Sequence, residues 1–240
     1  MAALSTAPHP TSGWSGSKER KMNTAKRFDT RKLVLLALLT AIVVVLQVLA
    51  IFIRPLLPAF TINLVLIPIV IGAALTGIYG GGWLGLVSGF AVLISGDAAL
   101  FLGVNPLGTI LVVLAKGLLS GLAAGAIYYL IAKKSRTIAA VAAAIVCPVV
   151  NTGVFIIGMY AFFMPTVAEW FPPIAGLTLA EGAGSGDLFA ALGVNSSIAF
   201  IIIVMIGINF LIELGINIVL SPTIVRLIQY GQGRRKVVKA

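Results

Sequence analysis

The stretch NFLIELGIN, residues 209–217, lies inside a hydrophobic run that extends over about residues 197–228 and holds few polar residues. On a helix, Asn209, Glu213 and Asn217 follow one another at one-turn spacing and fall within roughly 80° of one another, so two amides and a carboxylate share one face. An ionisable side chain near the centre of a bilayer costs at least a few kcal/mol, and such residues usually face a bundle interior as part of a substrate or ion site. The pattern therefore predicts a helix that lines a polar interior.

The composition places the whole chain in the membrane. Hydrophobic residues make up 60% and charged residues 10%, with a mean hydropathy of +1.11, whereas soluble domains carry about 25% charged residues. The sequence predicts an all-α integral membrane protein. The single cysteine, Cys147, excludes a disulfide within the chain, and the single histidine, His9, lies in a polar stretch, so we expect no metal site of the usual Cys and His ligands and no cofactor.

Hydrophobic runs of membrane-spanning length divide the chain into six predicted transmembrane helices in one bundle. They cover about residues 33–53, 62–79, 83–102, 106–132, 137–164 and 197–228. The predicted domains are a disordered basic tail at 1–30, a transmembrane substrate-binding domain at 31–230 with a long extracellular loop at 165–196, and a basic tail at 231–240.

Basic residues indicate the orientation of the predicted bundle. Of the 17 lysines and arginines, all but Arg54 and Lys116 lie before the first helix, in the loop after the fourth helix or near the C-terminus. By the positive-inside rule, both termini are predicted to be cytoplasmic, in a multi-pass protein of a bacterial plasma membrane. The net charge of +10 then reflects topology and anionic lipid headgroups, and no nucleic-acid partner is expected.

Two glycine series recur at four-residue spacing. The first is Gly77, Gly81, Gly85 and Gly89, and the second is Gly117, Gly121 and Gly125. Small residues at this spacing let membrane helices approach closely, so we expect these glycines to serve helix packing.

Polar residues on separate predicted helices reach similar depths in the membrane. At 1.5 Å per residue, Lys116, Asn151 with Thr152, and Asn209 with Glu213 lie at comparable levels, and Asn105 lies nearer the outer mouth. One interpretation is a ligand chamber that opens outward. The alternative is that Lys116 and Glu213 neutralise each other as a buried pair while the asparagines tie helices together.

Missing motifs exclude several chemistries. The chain has no Gly-x-x-x-x-Gly-Lys-Ser/Thr loop, no His-Glu-x-x-His and no Gly-x-Ser-x-Gly, which are the marks of nucleotide, metal and serine hydrolysis. Glu213 is the only acidic residue expected within the membrane. Binding or transport, and not an enzymatic activity, is the function that these absences favour.

Several segments together resemble one membrane family. They are Ala37-Leu-Leu-Thr-Ala41, Asn105-Pro-Leu-Gly followed by Lys116-Gly117 and Gly121, Pro148-Val-Val-Asn-Thr-Gly-Val-Phe155, and Asn209-Phe-Leu-Ile-Glu213 through Ser221-Pro222. In this order on a six-helix chain, they are similar to the substrate-binding S components of energy-coupling-factor (ECF) vitamin transporters, over about residues 31–230. The Asn-Pro turn and the Asn-Thr-Gly-x-Phe segment look closest to the pantothenate group.

The resemblance implies a protein that binds a water-soluble vitamin from outside and associates with a transmembrane coupling subunit and two cytoplasmic ATPases. It places Ala37 and Ala41 at the coupling-subunit interface. For a pantothenate-like ligand, Lys116 would face the carboxylate, while Asn105, Asn151, Thr152 and Asn209 would meet hydroxyl and amide groups. Glu213 would pair with Lys116, accept a ligand hydroxyl or be protonated.

Other functions stay open at this point. The substrate could be another vitamin, such as folate, riboflavin or a thiamin precursor, although the sequence shows no dense aromatic cluster to stack a large ring. The chain could also be a stand-alone secondary transporter coupled to a proton through Glu213, or a structural membrane subunit of a larger complex.

Overall fold

The computed structural model describes residues 30–53, 63–170 and 206–237, and within these ranges the regular structure is entirely helical. The helices are α1 (Thr30–Ile53), α2 (Leu66–Thr76), α3 (Ile78–Ile94), α4 (Ala99–Val104), α5 (Pro106–Ile131), α6 (Arg136–Trp170) and α7 (Gly207–Val237). Helices α1, α5, α6 and α7 each contain a stretch long and apolar enough to cross a bilayer. The predicted class, an all-α multi-pass membrane protein, is confirmed; the number of six spans and the cytoplasmic position of the termini stay predictions.

The second and third predicted helices differ from those of the structure. Helix α2 is shorter than the predicted 62–79, because Gly77 ends it with a φ of 101°, a left-handed conformation that glycine adopts without a steric penalty. Helix α3 begins before residue 83 and stops at Ile94. A turn at residues 95–98, which includes Gly96 at a φ of 79°, then separates it from the short α4.

Two helices run further than predicted. Helix α6 continues through Pro165 to Trp170, so the beginning of the predicted outer loop is helical, and α7 continues to Val237. A proline close to the end of a helix removes a single backbone hydrogen bond, which explains why α6 does not stop there. The predicted tail at 1–29, the remainder of the loop at 171–196 and the start of the last predicted helix lie outside the described residues.

The glycine series hold α3 against α5, as the spacing predicted, except for Gly77, which ends α2 and has no atom within 4 Å of an added β-carbon among the described residues. A β-carbon added at Gly81 would lie 2.5 Å from the carbonyl oxygen of Gly121, and one added at Gly85 would lie less than 3.0 Å from that of Gly117. The same contacts recur in the reverse direction. Because the residue number rises on one helix as it falls on the other, α3 and α5 run antiparallel, with their backbones in direct contact.

Helix α2 is the centre of the bundle. It packs against α1, α3, α5, α6 and α7, and nearly all of its side chains are buried, with Leu66, Ile69 and Val70 at 1% exposure or less. This explains how an 11-residue helix, which is too short to cross a bilayer by itself, has a fixed place in the fold.

Helix α1 lies at the edge of the bundle and runs parallel to α3. The indole Nε1 of Trp83 donates a hydrogen bond to Thr40 Oγ1 at 3.2 Å, and further along both helices the amide Nε2 of Gln47 donates to Ser95 Oγ at 3.2 Å. Much of the remaining α1 surface is apolar and exposed, as it is at Val45.

Helices α5 and α6 run antiparallel, with Gly108 close to Phe162 and Gly158 close to Val112. Consequently α1, α3 and α6 finish at the end of the bundle where α5 begins. We call this end, marked by Asn105, the Asn105 end.

Candidate functional site

The interior polar site is organised around Lys116 on α5 and Glu213 on α7. Their charges interact with each other. Asn63, at the start of the turn that leads into α2, forms a side-chain hydrogen bond with the Glu213 carboxyl group. The structure therefore brings together two residues almost a hundred positions apart in sequence, as the depth argument expected, and adds an amide from a third element.

The carboxyl group of Glu213 is buried, but only part of its hydrogen-bonding capacity is used. Its side chain is only 8% exposed, and among the described residues its Oε1 atom has no hydrogen-bond partner. A buried acceptor left in this state costs about 1–3 kcal/mol. The site thus contains one carboxylate oxygen that can accept a hydrogen bond from a group that is not among the described residues.

A phenyl ring lies close to the ammonium group of Lys116 and belongs to a cluster of three. The Lys116 Nζ atom lies 5.2 Å from the centroid of the Phe155 ring, within the distance at which a cation is attracted by an aromatic face. Phe101 on α4 meets Phe155 edge to face at a centroid distance of 6.1 Å and Phe163 at 5.1 Å. The fold therefore assembles an aromatic cluster, Phe101, Phe155 and Phe163, that the spacing of these residues in the sequence did not reveal.

Asn105 has a structural role that the sequence did not predict. It is the N-cap of α5, and its Oδ1 accepts a hydrogen bond from the backbone N–H of Gly108 at 2.9 Å. An N-cap of this kind satisfies one of the free backbone donors at a helix start. A contact between Asn105 and a ligand stays a prediction, and the Oδ1 atom already accepts the hydrogen bond of the cap.

The remaining predicted contact residues, two amides and one hydroxyl group, lie on α6 and α7. Asn151 is buried on α6, one turn before Phe155, and Thr152 beside it is partly buried. Asn209 is partly buried on α7, one turn before Glu213. These residues therefore lie on the two helices that carry Phe155 and Glu213, and their role as ligand contacts stays a prediction.

Asn217 lies one turn beyond Glu213 and is almost completely buried. Its Nδ2 donates a hydrogen bond to the backbone carbonyl of Glu213 at 2.9 Å, and its Oδ1 has no partner among the described residues. The sequence suggested a tie between helices, but the hydrogen bond in the structure lies within α7.

The sequence reading missed two features of this region. The aromatic cluster was missed because its members come from two helices and only the fold brings them together. Gln47 was missed although it is a lone amide in the first hydrophobic run. It is 4% exposed, and its Nε2 also donates to Asp97 Oδ2. A buried amide in an apolar helix needs a hydrogen-bond partner, so it indicates a contact with another element as a charged residue does.

The two alanines predicted to meet another subunit, Ala37 and Ala41, lie on α1 with exposed side chains. They are one turn apart, so they share a face of the helix. That face does not contribute to the core of the bundle, and its role at an interface stays a prediction.

These features define an integral membrane protein with a charged and aromatic site in its interior. The sequence matches the family described as "ECF transporter, substrate-specific component" over residues 31–225. The chain belongs to this family, and it is accordingly a component of a transporter and not an enzyme. No curated protein and no solved structure gives a significant match.

Proposed function

We propose that the chain binds a water-soluble vitamin at the Lys116–Glu213 site and delivers it through a transmembrane coupling subunit that is driven by two cytoplasmic ATPases. The vitamin would enter from the outer side of the membrane, at the Asn105 end. The observation that carries the proposal is the buried Glu213 oxygen, which has no hydrogen-bond partner among the described residues. Glu213 interacts electrostatically with Lys116, whose ammonium group lies near the Phe155 ring, in a transporter component.

The charges favour a substrate that brings hydrogen-bond donors. Lys116 already offsets the charge of Glu213, so a bound molecule does not have to be a cation. A hydroxyl or N–H group on the substrate would satisfy Glu213 Oε1 and recover the cost of leaving it unpaired. A substrate that lacks a donor at this point would leave the buried acceptor unsatisfied and would be rejected.

Pantothenate is the first candidate. It carries hydroxyls for Glu213, an amide for the neighbouring asparagines and a carboxylate for Lys116. Support for it comes from the chemistry of these residues and from the similarity of the Asn105 and Asn151–Phe155 segments to the pantothenate group.

A vitamin with an aromatic ring is the second candidate, and the cluster of Phe101, Phe155 and Phe163 favours it. Riboflavin, folate or a thiamin precursor offers a ring that could pack against phenyl groups together with N–H or hydroxyl donors for Glu213. The coupled Lys116–Glu213 pair suits a ring system of low net charge.

Binding calorimetry of the purified protein against pantothenate, riboflavin, thiamin, the thiamin pyrimidine and folate tests the proposal. One of these should bind with a Kd in the micromolar range or below. The Glu213→Gln variant should bind it about fivefold more weakly, because a hydrogen bond to a charged group contributes roughly 1 kcal/mol more than a neutral one.

The matched control is Asn217→Ala. Asn217 lies on the same helix, one turn from Glu213, and is also buried, but we place it beyond the reach of the substrate. This variant should retain the affinity of the unmodified protein. If Glu213→Gln lowers only the amount of folded protein and the folded fraction keeps its affinity, Glu213 is not part of the binding site.

Docking of the coupling subunit is tested at Ala37 and Ala41. Close approach of two membrane helices requires small side chains, so replacing both alanines with leucine should abolish uptake and leave vitamin binding intact. Retained uptake would exclude the docking role. Uptake by the chain alone, driven by a proton gradient and insensitive to ATPase mutations, would instead support a stand-alone transporter that uses Glu213.

A further inference from the structure

A second buried polar cluster joins α1 to the turn that precedes α4. The amide Nε2 of Gln47 donates hydrogen bonds to Ser95 Oγ, at 3.2 Å, and to Asp97 Oδ2. Gln47 is one of the few polar residues of α1 and is 4% exposed. Since a buried amide is costly unless it is hydrogen-bonded, these contacts fix the end of α1 against the 95–98 turn.

The position of α4 depends on what holds its two ends. Helix α4 has only six residues, none of them buried, and an isolated helix of this length is not stable. At its start, the turn is held by Gln47; at its end, Asn105 is fixed as the cap of α5. Between these points, Phe101 packs against Phe155, whose ring lies near the Lys116 ammonium group.

We propose that Gln47 is a positioning residue for the substrate site, which acts by fixing the turn that orients α4 and thereby Phe101. The inference rests on the proposed function in one respect: it takes the region around Phe101, Phe155 and Lys116 as the substrate site.

A second hydrogen bond of the same kind provides a matched control. Thr40, also on α1, accepts a hydrogen bond from the indole of Trp83 on α3 at 3.2 Å. It connects the same helix to the bundle but does not involve the turn before α4. Thr40→Val removes this bond without altering the shape of the side chain, so it should leave α4 in place.

The experiment measures the position of α4 without any substrate. Spin labels are attached to the full-length protein in nanodiscs at Leu100→Cys on α4 and Ile138→Cys near the start of α6, two exposed sites that we place about 25 Å apart from the helical rise. Cys147 is fully buried and remains unlabelled. The distance distribution between the labels is recorded by pulsed electron paramagnetic resonance.

We expect Gln47→Leu to broaden the distribution and shift its maximum. Helix α4 is about 9 Å long, and a swing of roughly 20° about Asn105 moves its freed end by about 3 Å. Thr40→Val should give the distribution of the parent. Gln47→Glu should cause a larger change than Gln47→Leu, because two carboxylates then face each other.

The exchanged pair, Gln47→Glu with Asp97→Asn, provides the rescue. It restores a carboxylate and an amide at the same two positions with their roles reversed, so the parent distribution should return. If Gln47→Leu does not fold, the distance distribution of this double variant still tests the proposal. An unchanged distribution in Gln47→Leu, an equal change in Thr40→Val, or a folded exchanged pair without recovery would each overturn the proposal. Since no vitamin is added, these outcomes are separate from a failure of vitamin binding.

Discussion

The contact between α3 and α5 yields the sharpest prediction about stability, and Gly81→Ala tests it. The new β-carbon would lie 2.5 Å from the Gly121 carbonyl oxygen and 2.7 Å from the β-carbon of Ala73 on α2, whereas ordinary contacts begin at 3.4 Å. A backbone atom of a packed helix cannot rotate away as a side chain can. The two helices would therefore have to separate by nearly one ångström along their contact.

The expected cost follows from two opposing effects. Overpacking of this kind costs about 1–3 kcal/mol, while replacing glycine with alanine within a helix returns roughly 0.5–1 kcal/mol. The net loss is about 1–2 kcal/mol, which for a protein of this size lowers the Tm by about 2–8 °C. Thermal unfolding in detergent, followed by circular dichroism, measures this change.

Gly103→Ala is the control, because a β-carbon at this helical position meets no atom within 4 Å among the described residues. We expect its Tm to stay the same or rise slightly. The double variant Gly81→Ala with Gly121→Ala should lose less than the sum of the two single variants, since one separation of the helices relieves both contacts. If Gly81→Ala and Gly103→Ala have the same Tm, the close approach of α3 and α5 is wrong.

Two further predictions concern single residues of the interior. Lys116→Met removes the positive charge that interacts with buried Glu213 and should cost about 1–2 kcal/mol of stability. Adding Glu213→Gln should recover part of this loss, whereas strictly additive losses in detergent unfolding would show that the two charges are independent. Asn105→Ala removes the cap of α5 and should cost about 1 kcal/mol, while Asn105→Asp keeps the acceptor and most of the stability. An equal loss of Tm in both Asn105 variants would contradict the capping role.

The class of the protein followed from composition because membrane insertion depends on the hydrophobicity of whole segments and not on contacts between them. The polar residues of α7 were visible for the same reason, since a carboxylate in an apolar run is costly wherever the helix lies. The glycine series predicted close packing, and the fold shows which series meet: Gly81 faces Gly121, and Gly85 faces Gly117. Helical spacing identifies a face of a helix but not its partner.

Helix boundaries were less accessible to sequence reasoning. The third apolar run looked continuous to residue 102, but the structure divides it at residues 95–98. The break contains Ser95, Gly96 and Asp97, which are turn-forming residues, and Gln47 of a different helix hydrogen-bonds to Ser95 and Asp97. The hydrophobicity of a segment does not reveal its hydrogen bonds with another helix.

The sequence by itself determined that this chain is a helical membrane protein with a lysine, a glutamate and several amides in its interior, because the cost of polar groups in the bilayer depends on residue type and spacing alone. Only the tertiary structure decided that Lys116 and Glu213 lie within electrostatic range of each other, that Asn63 forms a hydrogen bond with the Glu213 carboxyl group, and that Phe101, Phe155 and Phe163 form one cluster. These pairings depend on which helix faces pack together, and that choice is made by the burial of α2 and the glycine contact between α3 and α5.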